Sequence, residues 1–169
     1  MMKIRSGLNL LAHGLGWAAG SLFLVIFVLY VVQIVLRYVW GETWLWTPDF
    51  IRFLFIWGVF LGATVLFATK GHLTMDFFVR NLAPGKRVLL ELWIDVASSA
   101  FFLLLIVKGW EIADKRMRIP FDTWDLPTGY AYAAAPVCGA LMLLFALDRI
   151  VAAMQDLKHK GSENDGAER

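Results

Sequence analysis

Apolar and polar positions along the chain alternate in four long blocks. No charged residue occurs from Ser6 to Leu36. About 20 apolar residues cross the hydrocarbon of a bilayer, so a first span is predicted over about 15–36, preceded by a basic, amphipathic lead-in over 1–14 with Lys3 and Arg5. Gln33, Arg37 and Tyr38 mark its far end, where Arg reaches toward water and Tyr sits among headgroups. Gly16 and Gly20 stand at the GxxxG spacing that lets a neighbouring helix approach closely. A second span is predicted over about 49–69. Thr47 reads as its N-cap, Pro48 as its first helical residue and Asp49 as a first-turn acid, each favoured where a helix has orphan N–H groups and a positive end. Gly58 and Gly62 repeat the GxxxG spacing, and Lys70, Gly71 and His72 close the segment.

Leu73 to Arg87 reads as a basic loop with a Pro84-Gly85 turn. A third span is predicted over about 88–110. It carries Glu91 near its start and Asp95 about a helical turn deeper. An intramembrane carboxylate wants a protein or water partner, and Arg149 is a candidate to form an ion pair with Asp95. Glu111 to Trp124 is polar, and Pro120 ends any helical extension of the third span. The fourth span is predicted over about 128–150, since no charge occurs from Leu126 to Leu147. Pro136 should kink it or free one backbone bond. The remainder, 154–169, reads as a polar, disordered tail. The fold class expected is therefore all-α and integral to a membrane, with four transmembrane helices.

Composition strengthens that reading. Hydrophobic residues make up 59% of the 169, charged residues 18%, and the mean hydropathy is +0.63. An ordinary soluble domain is about 45–50% apolar and about 25% charged. The net charge of +2 and the scattered basic residues give no footprint for nucleic acid, and membrane lipid is the expected surrounding. The uncharged run after Arg5 is longer than the roughly 7–15 residues of a cleavable signal, so it is expected to stay as a helix. Four spans put both termini on one side. That side holds Lys3, Arg5, Lys70, Arg80, Lys86, Arg87, Arg149, Lys158, Lys160 and Arg169, against Arg37, Arg52, Lys108, Lys115, Arg116 and Arg118 on the other. The excess of basic residues makes the terminal side cytoplasmic.

Catalytic chemistry finds little to stand on. The lone Cys138 lies in an apolar run and has no cysteine to pair with. Haem-carrying four-helix subunits need His pairs facing each other inside the bundle, whereas His13 reads as near one surface, His72 as in a loop and His159 as in the tail. No zinc-protease, serine-hydrolase or phosphate-loop motif occurs. The chain is expected not to be an enzyme and to need no cofactor or metal of its own. Asp95 could serve a self-contained four-helix transporter, but no inverted repeat or second broken helix accompanies it. A structural tetraspan in some other membrane complex is a further alternative. Asp49 and Arg52, one turn apart, could pair with each other or dock a partner.

One ordered set of residues resembles a known family. Gln33, Arg37 and Tyr38, then Trp46-Thr47, Asp49 and Arg52, then Trp57, Leu61-Gly62-Ala63, Gly71-His72 and Asp76, are similar to the small membrane subunit of TRAP transporters (tripartite ATP-independent periplasmic, the DctQ type). Asp125-Leu126-Pro127-Thr128-Gly129-Tyr130 and the later Pro136 fit as well. The acid at Asp49 follows Pro48 and is Asp rather than Glu, a departure from the family's usual pattern. The resemblance implies a scaffold subunit in a bacterial inner membrane. Its partners would be a large membrane subunit, which holds the substrate and sodium sites, and a periplasmic substrate-binding protein. The cargo would be a carboxylate such as a C4-dicarboxylate or a sialic acid. It also implies interface or docking roles for Arg37, Asp49, Arg52 and His72, with Gly58 and Gly62 on the seam with the large subunit.

Overall fold

The computed structural model describes residues 2–70 and 84–167. Its elements are α1 (Met2–Val35), a π-helical turn (Leu36–Trp40), α2 (Thr47–Lys70), α3 (Pro84–Arg116), the single turn α4 (Gly129–Tyr132) and α5 (Ala134–Ala167). Among the described residues four stretches are long and apolar enough to cross a membrane: Leu10–Trp40, Thr47–Thr69, Trp93–Arg116 and Gly129–Met154. The four-helix membrane architecture follows directly from the four uncharged blocks, because a backbone in hydrocarbon must satisfy its hydrogen bonds internally.

The boundaries differ from the sequence reading in instructive ways. From Met2 onward the lead-in is continuous with the first span as one helix, Met2–Val35. Its far end relaxes into the wider π turn and stops at Gly41, whose φ of +73° is a left-handed conformation that glycine adopts without a Cβ penalty. Thr47 is the first residue of α2 rather than its cap. Its N–H turns back to the Trp44 carbonyl (3.3 Å), while the Trp46 carbonyl takes the first helical bond from Phe50 (3.2 Å). Thr47 is thereby buried, and its Oγ1 has no hydrogen-bond partner. Pro84 opens α3 instead of making a turn, as suits a residue with no N–H to leave orphaned.

Pro136 acts one turn upstream of itself. Lacking an N–H, it leaves the Tyr132 carbonyl without its helical donor, and the helix breaks at Ala133 between α4 and α5. Bonds from Ala133 N–H to Gly129 O (2.9 Å) and Val137 N–H to Ala133 O (3.2 Å) carry the chain across the break. Beyond Met154, where the sequence suggests disorder, α5 continues to Ala167.

The helices lie in a file rather than a closed quartet. The contacts of α1 are mainly with α2, those of α3 mainly with α5, and α2 and α5 meet in the middle. Coverage follows this order: 11% of the α1 span and 17% of the α3 span are buried, against 28% for each central span. Ala12, Ala19 and Ile26, seven residues apart, are the buried positions among the described side chains of α1. A seven-residue repeat gives the shallow crossing of left-handed helix pairs. Ile26 meets Ile51 and Leu54 on α2, with Leu22, Leu29, Phe50 and Phe53 around them. A second cluster joins Phe102, Met142 and Ala146, closed by Phe67 and Leu143. Lipid is as apolar as these side chains, so close packing holds the helices together more than burial from water does. Gly109 and Gly139 permit it on the α3–α5 seam. A Cβ at Gly109 would meet Pro136 Cδ at 2.9 Å, and one at Gly139 would meet Ile106 at 3.2 Å.

Candidate functional site

The end of the file opposite the termini carries a compact polar and aromatic platform. Three helix ends build it: the start of α2, the end of α3, and α4. The loop between α3 and α4 is pinned to itself first. Phe121 N–H donates to Leu126 O (3.0 Å) and Thr128 N–H to Ile119 O (2.9 Å), which aligns Pro120 with Pro127 as an isolated antiparallel bridge. Phe121 is buried beneath it. The buried Thr128 hydroxyl donates to Ile119 O (2.9 Å) and lies 3.2 Å from Arg116 O, so the loop is tied to the last turn of α3.

Side chains of α2 then reach across. Asp49 Oδ2 accepts from both the N–H (3.0 Å) and the hydroxyl (2.6 Å) of Thr123. Arg52 Nη2 lies 3.4 Å from the Tyr132 hydroxyl. Trp57 Nε1 donates to the Tyr130 carbonyl at 3.1 Å. Arg116 rests its guanidinium over the Tyr132 ring, 5.3 Å from the centroid. An aromatic run connects the pieces: Trp44 stacks on Trp46, Trp46 meets Phe50 edge-on, and Phe50 and Phe53 both meet Trp124.

The predicted site residues therefore separate. Asp49 and Arg52 hold the following loop and α4 rather than each other. Arg37 is exposed in the π turn at the same end of the molecule. Gly58 is filled within the chain, since a Cβ there would touch Phe23 and Leu22 of α1 at 3.5 and 3.8 Å. Gly62 has nothing within 4 Å of a Cβ position, so its surface stays available. His72 lies outside the described residues. At the other end of the file Arg149 Nη2 stands 3.2 Å from Asp95 Oδ1, with the guanidinium 4.0 Å above the Phe67 ring. The side chains are 21% and 14% exposed. Nη2 is not aligned for a hydrogen bond, so this contact is one of charge. Among the described residues no group of three His, Cys, Asp or Glu is placed to hold a metal.

The platform contains what sequence reasoning had missed. Thr123, Arg116 and Tyr132 carry no motif and become visible only once the loop folds back onto α2.

A family model, the DctQ component of tripartite ATP-independent periplasmic transporters, matches residues 26–156. The chain belongs to this family. The match takes in the whole platform, the later half of the first span and all of the other three. A small permease protein of a TRAP transporter from Haemophilus influenzae is 26% identical over 78% of this chain and 82% of its own length. The sialic acid TRAP transporter small permease protein SiaQ of Vibrio cholerae is 24% identical over 73% of this chain and 71% of its own. The sialic acid TRAP transporter permease protein SiaT of Haemophilus influenzae is 27% identical over 75% of this chain but only 21% of that longer protein. The chain is thus a TRAP small permease subunit, a multi-pass protein of the bacterial inner membrane and a transport component rather than an enzyme. In this DctQ chain the residues shared with the resemblance at the α2 entry, Trp46, Asp49, Arg52 and Trp57, build the platform and its supports.

Proposed function

We propose that this subunit braces the large membrane subunit of an uptake system for an organic acid, driven by sodium, and that its platform helps receive a periplasmic binding protein. The supporting observation is the open file of helices, which offers broad apolar walls. The longer SiaT relative, in which a segment like this chain takes up a fifth of a larger permease, supports a large membrane partner. With both termini cytoplasmic, as the basic residues indicate, the platform faces the periplasm. We assign Arg37 to docking there and give Asp49 and Arg52 an indirect part, shaping the loop that a partner would meet. The open surface beside Gly62 belongs to the seam with the large subunit; Gly58 does not, because α1 already fills it. His72 remains assigned to the cytoplasmic side of that interface. Substrate choice, whether a C4-dicarboxylate, a sialic acid or another carboxylate, resides in the partners.

Reconstitution tests this directly. Proteoliposomes with this chain, the large subunit and the binding protein should take up a labelled carboxylate when a sodium gradient is imposed. Omitting this chain should abolish uptake. Sodium-driven uptake by this chain alone would overturn the scaffold assignment.

A further inference from the structure

Arg52 and Arg116 come from different helices and converge on one side chain, Tyr132, yet neither is in an ion pair among the described residues. Their neighbours behave otherwise. Lys108 and Lys115, on the same helix as Arg116, both bind Glu111, at 2.9 and 2.8 Å. The nearest acid along α2, Asp49, has its Oδ2 occupied by Thr123. The two guanidiniums therefore keep most of their donors. A guanidinium has five N–H groups; Arg52 directs one nitrogen to a long 3.4 Å contact, and Arg116 lies over the ring, 5.3 Å from its centroid.

Depth decides what these donors meet. Arg116 is the last residue of its span, Tyr132 lies in the first turn of the next, and Arg52 stands about 7–8 Å into a third at 1.5 Å per residue. All three belong at the level of lipid headgroups, beside the aromatic residues that settle there. Both arginines are exposed. We infer that Arg52 and Arg116, joined through Tyr132, form a binding site for the phosphate of an anionic phospholipid headgroup. A guanidinium matches a phosphate through paired hydrogen bonds that an ammonium cannot reproduce. The site does not depend on the transport reading, only on the chain lying in a bilayer.

The test uses the full chain purified in detergent, with native mass spectrometry counting bound phosphatidylglycerol against phosphatidylcholine. The wild type should retain phosphatidylglycerol preferentially. The double variant Arg52→Gln/Arg116→Gln should bind it about tenfold more weakly, the loss of roughly one charge-assisted contact. Lys108→Gln/Lys115→Gln should bind as the wild type does. If the glutamine pair fails to fold, the pair Arg52→Lys/Arg116→Lys keeps the charge and should retain a weakened preference for the anionic lipid. No preference in the wild type or the lysine pair would overturn the proposal. So would equal binding by a folded glutamine pair, or displacement of the lipid by excess inorganic phosphate. Unchanged lipid binding in glutamine variants that lose a soluble partner protein would instead mark the arginines as a protein contact.

Discussion

Asp49 and Thr123, separated by 74 positions in the chain, are joined by two hydrogen bonds to one carboxylate oxygen. The first turn of α2 thereby fixes the loop that leads into the fourth span. Replacing Asp49 with Ala should release that loop at a cost of about 1 kcal/mol, the usual net worth of such bonds near a surface. Asp49→Asn keeps an acceptor oxygen and should cost less. Hydrogen–deuterium exchange over residues 119–128 is the measurement. Exchange as slow in Asp49→Ala as in the wild type would refute the linkage.

The Asp95–Arg149 pair gives a second expectation. Both side chains are largely covered, so removing one partner strands a charge, whereas removing both does not. Arg149→Leu or Asp95→Leu should each lower stability by about 2 kcal/mol, below the value for full burial because both groups keep some exposure. The double substitution Asp95→Leu/Arg149→Leu should recover much of the loss. Unfolding in detergent, arranged as a double-mutant cycle, reads the coupling. Additive losses would mean that the two charges do not act together.

Two glycines should respond in opposite ways. A Cβ on Gly129 would meet Ala113 O at 2.5 Å and Met117 N at 2.8 Å, both backbone atoms that cannot move aside alone. Gly129→Ala should therefore displace α4 and cost about 1–3 kcal/mol, the range for overpacking. Gly62→Ala meets open space and should leave the isolated chain as stable or slightly more so, by up to about 1 kcal/mol of helix propensity. The functional proposal adds that Gly62→Ala or a bulkier Gly62→Leu weakens co-purification with the large subunit. Equal thermal stability of the Gly129 and Gly62 variants would contradict the packing described.

Cys138 is fully buried beside Thr64, itself fully buried between the central helices. A membrane-permeant maleimide should label it slowly in the folded protein and rapidly after denaturation. Rapid labelling of the native chain would show that the α2–α5 seam opens.

The four spans were legible because hydrocarbon imposes one rule on every backbone group, and runs free of charge record it. Pro136 announced a break, but not that the break falls at Ala133, since the lost bond belongs to the carbonyl four residues earlier. Thr47 was misplaced by one position. Its cap chemistry is ordinary, but stacking of Trp44 on Trp46 turns the chain early and leaves the hydroxyl unused. Asp49 and Arg52 looked like a local pair because spacing along one helix is visible in sequence. Their bonds to Thr123 and Tyr132 depend on how a distant loop folds over, which spacing does not encode. Gly58 and Gly62 look alike as letters; only the position of Phe23 on α1 separates a filled site from an open one.

The file of helices also has a mechanical meaning. At interaxial distances of 8–10 Å it is roughly 30–40 Å wide but about one helix thick over much of its extent. A narrow bundle can rotate in a bilayer with little disturbance, whereas a broad blade must sweep lipid aside along its whole length. Any protein seated against one wall acquires a keel, and its own moving parts have something to push against.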